Sequence, residues 1–169
     1  GNFDQIDTLK LAGSNGGASN IDNLGPEIDI NIAADMANNL KYNNGNVTEL
    51  TVTLSNSANL NANFDDAGNS LETVNIKAVG ATDFANGKTT SIVSNSALET
   101  LNVDSEQAGG TLNLGEHQTR QGADSASTHQ VALNFQGKED ITMDAVQLNV
   151  DLEKAVVTND GNGNLTLDD

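Results

Sequence analysis

The 169-residue chain has no cysteine, no tryptophan, a single proline (Pro26) and a single tyrosine (Tyr42). Without thiols it can form neither a disulfide framework nor a Cys-ligated zinc site. Basic residues are also scarce: seven Lys plus Arg stand against 24 Asp plus Glu, a net charge of −17. That balance repels nucleic-acid phosphates and anionic bilayers, so neither is expected as a partner. No apolar run reaches the ~18 residues of a membrane-crossing helix, and no membrane insertion is expected. The shortage of aromatics (3%) and of arginine (Arg120 alone) bears on enzymes as well. A lyase acting on acidic sugars needs cations to neutralise a carboxylate. A glycosidase needs two carboxylates facing across a sugar that aromatic rings usually hold. With no G-x-S-x-G, no H-E-x-x-H and no phosphate-binding glycine loop either, a non-catalytic protein is expected.

What the chain does contain is asparagine, 25 residues of it, and a restated hexamer. Residues 71–76 read LETVNI and residues 98–103 read LETLNV; looser versions, IDTLKL and VTELTV, occupy 6–11 and 47–52. Each alternates apolar with polar residues, the period of a half-buried strand, and Thr and Val suit that conformation. Further strand-like stretches are 60–64, 111–114, 131–135, 146–152 and 164–167. From Val47 to Leu71 is 24 residues and from Leu71 to Leu98 is 27. A fixed period of that size, punctuated by Asn/Gly/Ser turns, is the mark of a stacked structure. The expected fold is therefore mainly β: a single domain, 1–169, resembling a parallel β-solenoid (β-helix). A β-sandwich is the alternative. Residues 71–76 and 98–103 should pair in parallel.

Stacking makes a specific demand. Equivalent positions of parallel neighbours lie ~4.8 Å apart, so Leu should cover Leu and Val should cover Ile. Asn recurring between apolar neighbours, at Asn61, Asn75, Asn102, Asn113, Asn134 and Asn149, should link its amides into a ladder. Two segments depart from the repeat. Residues 12–46 are less regular, and Ile32, Met36 and Leu40, with Asn31 as cap, suggest one short helix over 33–41. Residues 115–130 carry no apolar residue except Ala and suggest an exposed polar loop. The chain starts at Gly1 without an initiator Met, as expected of a piece of a larger protein.

The recurrent LETVNI/LETLNV strands with Asn/Thr/Ala/Gly-rich turns, no Cys and an acidic balance resemble the surface-layer (S-layer) proteins of Gram-negative bacteria. They also resemble the related RTX adhesins, and both groups leave the cell by type I secretion. The resemblance covers most of residues 47–114. It implies stacked β architecture, calcium-dependent folding and a location outside the cell, at the bacterial surface. The partners it implies are self-association in a lattice, neighbouring domains of the same chain and a cell-surface polysaccharide. An adhesin module binding a host or matrix ligand is the second reading. The calcium nonapeptide G-G-x-G-x-D-x-L-x does not occur intact.

Calcium takes six to eight oxygen ligands on a flexible scaffold, and three turns offer them. The tail NDGNGNLTLDD spaces Asp160, Asn162 and Asn164 with glycines between. The alternative for these residues is a plain Asn/Gly turn before a last strand. Asp65 and Asp66, with Asn69, stand in NFDDAGN. Asp104 and Glu106 lie on one side of an extended chain in VDSEQ. Carboxylates brought together by stacking would require a divalent cation, and solvated turn acids are the alternative. His117 and His129, with Glu116 and Asp124 near them, fit no zinc-ligand spacing.

Overall fold

The computed structural model describes residues 7–12, 19–22, 28–33, 36–43, 48–55, 60–63, 72–80, 92–94, 99–109, 111–113, 116–119, 129–143, 145–147 and 152–167. They form sixteen strands: β1 (Thr8–Leu11), β2 (Ser19–Asp22), β3 (Asp29–Ile32), β4 (Met36–Asn43), β5 (Glu49–Ser55), β6 (Leu60–Asn63), β7 (Thr73–Gly80) and β8 (Ile92–Ser94). Then follow β9 (Thr100–Ala108), β10 (Leu112–Asn113), β11 (Glu116–Thr119), β12 (His129–Gln136), β13 (Ile141–Met143), β14 (Ala145–Gln147), β15 (Leu152–Asn159) and β16 (Leu165–Leu167). The protein is mainly β, with no helix among the described residues.

Seven strands make one sheet in the order β1-β3-β5-β7-β9-β12-β15. Every pair in it is parallel, and sequence order equals spatial order. The strands between these visits form three smaller parallel sheets, β2-β4-β6, β14-β11-β8 and β10-β13-β16. Parallel neighbours cannot be joined by a tight hairpin, so each return needs a long crossover. Here the crossovers carry short strands. A sandwich of antiparallel hairpins is at odds with this pairing.

The echoed hexamers meet as their alternation requires. Thr73, Val74, Asn75 and Ile76 lie opposite Thr100, Leu101, Asn102 and Val103. Inward residues form continuous rows across the sheet. One row runs Leu50, Val74, Leu101, Leu133, Val157. A second runs Leu9, Ile30, Val52, Ile76, Val103, Phe135 and ends on Asn159. Leu112, Ile141 and Met143 from β10 and β13 join the same buried cluster, which therefore lies between the large sheet and the β10-β13-β16 sheet. Burying a Leu, Val or Ile side chain is worth about 1.5–3 kcal/mol, and rows of this kind supply the cohesion that aromatics supply elsewhere.

One expectation needs correction. The helix placed over 33–41 is absent: Met36–Asn43 is a strand, pairing in parallel with β2 and β6. A spacing of four residues is even, so Ile32, Met36 and Leu40 satisfy a strand's period of two as well as a helical turn. The Asn-rich run 38–44 is poor helix material. Among the described residues of the segment 12–46, strands β2, β3 and β4 are present. Within the polar stretch 115–130, residues 116–119 form β11 between β8 and β14; residues 120–128 lie outside the described ones.

Candidate functional site

The outer face of the large sheet carries the polar half of each strand. Asn134 Nδ2 donates to Asn102 Oδ1 at 2.9 Å, and Asn102 Nδ2 donates to Asn75 Oδ1 at 2.7 Å. Asn75 Nδ2 in turn donates to Glu49 Oε1 at 2.8 Å, with Thr51 Oγ1 at 3.4 Å. This is the expected amide ladder, and the register explains it, because Asn75, Asn102 and Asn134 are opposite one another. The three ladder asparagines line a groove of ≈ 430 Å³ crossing from β5 to the end of β15; Glu49, Lys77, Asp104, Gln136 and Asp160 are the rest of its charged and long polar lining. Asp104 is held by two donors: the Glu106 backbone N–H reaches Oδ1 at 2.8 Å and Gln136 Nε2 reaches Oδ2 at 3.0 Å.

Where β9, β12 and β15 end, their corners stack. Residues 135–141 and 159–165 turn from the large sheet to β13 and β16 over the same number of residues, with Asn162 N donating to Gly137 O at 2.8 Å. Gly137 has φ +115°, and a Cβ there would lie 2.5 Å from Glu106 N and from Ser105 Oγ, so only glycine fits. Ser105, fully buried, donates to Glu139 O at 2.7 Å and satisfies a carbonyl of the corner above it.

The candidate calcium ligands divide accordingly. Asp104 and Asp160 line one groove. Glu106 does not line it, although it is exposed two residues beyond Asp104 on β9. In the tail, Asn164 acts as a donor: its backbone N–H and Nδ2 both reach Asp140 Oδ1, at 2.8 and 3.1 Å. Asn159 Nδ2 donates to Gly163 O at 3.1 Å and fastens the same turn. These contacts explain NDGNGN as a corner packed on the preceding corner. Asp65, Asp66 and Asn69 lie outside the described residues. His117 is on β11 and His129 on β12, in different sheets. Among the described residues no group of three or more His, Asp or Glu side chains stands together.

Sequence reasoning missed the groove, Ser105 and the Asp140 cap. A signal for the last was present: FQGKEDI and NDGNGNL each place a glycine two residues after the last position paired across β12 and β15. Comparison of the chain with protein families, curated proteins and solved structures found no match in any of the three.

Proposed function

We propose that the chain winds as a parallel β-solenoid and serves as a structural, non-catalytic component of a bacterial surface layer, self-assembling outside the cell with calcium. The observation that carries this reading is the seven-stranded parallel sheet with its through-running apolar rows and amide ladder. Such a stack is a load-bearing shaft whose neighbour contacts repeat along one axis. Its acidic exterior repels a second copy until cations intervene, which gives calcium a role in assembly as well as folding. The groove from Glu49 to Asp160 favours a second reading, an adhesin module binding a neutral polysaccharide through amide and hydroxyl groups.

The test is thermal melting and sedimentation in EGTA, in calcium and in sodium at matched ionic strength, with Asp160→Ala and Asp66→Ala as probes. Calcium held at 100 times its dissociation constant should add about 2.7 kcal/mol to stability. Simple screening would act equally for both salts. Coincident melts would exclude a specific site in this chain. Ordered sheets in negative stain would favour the lattice, and isolated rods would favour the adhesin.

A further inference from the structure

One row of the outer face carries its charges in a fixed order. Lys77 lies opposite Asp104, Asp104 lies opposite Gln136, and Asp160 is the next residue after Asn159 in the β12–β15 register. All four line the groove, which crosses the face of the large sheet from β5 toward β15. Parallel neighbours stand ~4.8 Å apart, so Asp104 and Asp160, two strands apart, are set roughly 9.6 Å from one another. A single divalent ion, coordinated at about 2.3–2.6 Å, does not bridge that interval. Two cations carried on one ligand do.

Asp104 is oriented before any ligand arrives, because the Glu106 backbone N–H and Gln136 Nε2 each hold one of its oxygens. A carboxylate accepts at about four lone-pair sites, so both oxygens keep room for a further donor. Donors are left over beside it. Asn102 and Asn134 each give one amide hydrogen to the ladder, and a carboxamide has two. These asparagines stand one row away from the interval between Asp104 and Asp160, since β12 separates β9 from β15. A polyproline II chain has matching dimensions. It rises ~3.1 Å per residue with three residues per turn, so residues three apart share a face at ~9.3 Å. It makes no internal hydrogen bonds, which leaves its carbonyls free to accept from the spare amide hydrogens. A β-strand ligand fits less well, because its same-face residues recur at about 6.6–6.8 Å. Lys77 adds a restriction. One strand beyond Asp104, it repels a further cation close to the pair and so disfavours a run of basic residues against two spaced ones.

We infer that the groove is a docking site for an extended, proline-rich segment of a partner protein bearing two basic residues three positions apart, one over Asp104 and the other over Asp160. The inference stands apart from both readings of function given above and rests on the charge order and spacing of the groove. Because such a segment is ordered before it binds, little entropy is lost on docking, and a shallow polar surface suffices to hold it.

The probes are three end-blocked peptides of equal charge: Pro-Pro-Lys-Pro-Pro-Lys-Pro-Pro, a variant with its two lysines adjacent, and a variant with them four positions apart. Each is titrated into the full chain at low salt, where screening is weakest, and followed by NMR of the side-chain amides. The first peptide should shift the Nδ2 signals of Asn102 and Asn134. It should bind about fivefold more tightly than the other two, the ratio that one well-placed exposed ion pair supplies. Asp104→Asn and Asp160→Asn, which keep the side-chain shape, should each remove that preference while the melting temperature stays near that of the parent. Equal binding of all three peptides would reveal a general attraction to a chain of net charge −17 and would overturn the inference. A preference that survives Asp160→Asn would overturn it as well, as would the absence of any shift. A neutral cello-oligosaccharide that shifts the same asparagine signals while no peptide does would overturn it in favour of the glycan reading.

Discussion

Leu133 and Val157 are opposite one another on adjacent strands and belong to one apolar row, yet Leu133 is fully buried and Val157 is 46% exposed. The two residues are chemically alike and face the same way. What differs is the neighbour: Leu133 has β9 on one side and β15 on the other, whereas Val157 has β12 alone among the described strands. Burial in this protein is therefore conferred by the strands on either side more than by the residue's own alternation. A position can satisfy every rule of patterning and still be wet at the margin.

The contrast gives a direct test. Leu101→Ala and Leu133→Ala, inside the row, should each cost about 2–5 kcal/mol in chemical denaturation, through lost transfer energy and the cavity left behind. Val157→Ala should cost under ~1 kcal/mol in the isolated chain, as surface changes do. Equal losses at Leu133 and Val157 would break the comparison. Next in size is Gly137→Ala, where a Cβ meets Glu106 N and Ser105 Oγ at a positive φ. It should cost about 1–3 kcal/mol, the range for strained backbone positions, and a neutral result would mean that the corner is not tightly stacked. The smallest effect belongs to the outer face. Asn102→Ala removes the middle amide of the ladder and should cost about 0.5–1.5 kcal/mol, and Asn102→Asp more than Asn102→Ala, because it sets a carboxylate against Asn75 Oδ1. If Asn102→Ala proves neutral, the ladder is decoration on a stack held by its apolar rows.

Much of the large sheet was legible in the sequence because stacking writes itself out as repetition. LETVNI and LETLNV give the parallel register of β7 on β9, and their Asn residues give the ladder. The β4 strand was not legible, since the spacing of Ile32, Met36 and Leu40 satisfies two periods at once. Strand β11 was hidden for a different reason: Glu116–Thr119 has no apolar alternation to betray it, and it is recognised only by its place between β8 and β14. The candidate site was less legible still. Asp104 was singled out as a metal ligand, but its partner Gln136 is 32 residues away, a separation that no local pattern encodes. Asn164 was read as an oxygen ligand, and its Nδ2 contact with Asp140, 24 residues away, is likewise written in no local pattern.

The amide ladder also has a sense of direction. Asn134, Asn102 and Asn75 all donate toward β5, so their dipoles add head to tail along the sheet, with the positive end at Glu49. The carboxylate of Glu49 terminates that end with the opposite sign, 2.8 Å from Asn75 Nδ2. Chains of hydrogen bonds polarise one another, so each amide strengthens the next. Reversing Asn102 alone would set donor against donor on one side and acceptor against acceptor on the other, and a concerted reversal of all three would turn Asn75 Oδ1 toward the Glu49 carboxylate. The outer face thus carries an electrical polarity along the axis of strand succession, which distinguishes its β1 side from its β15 side even where side chains repeat.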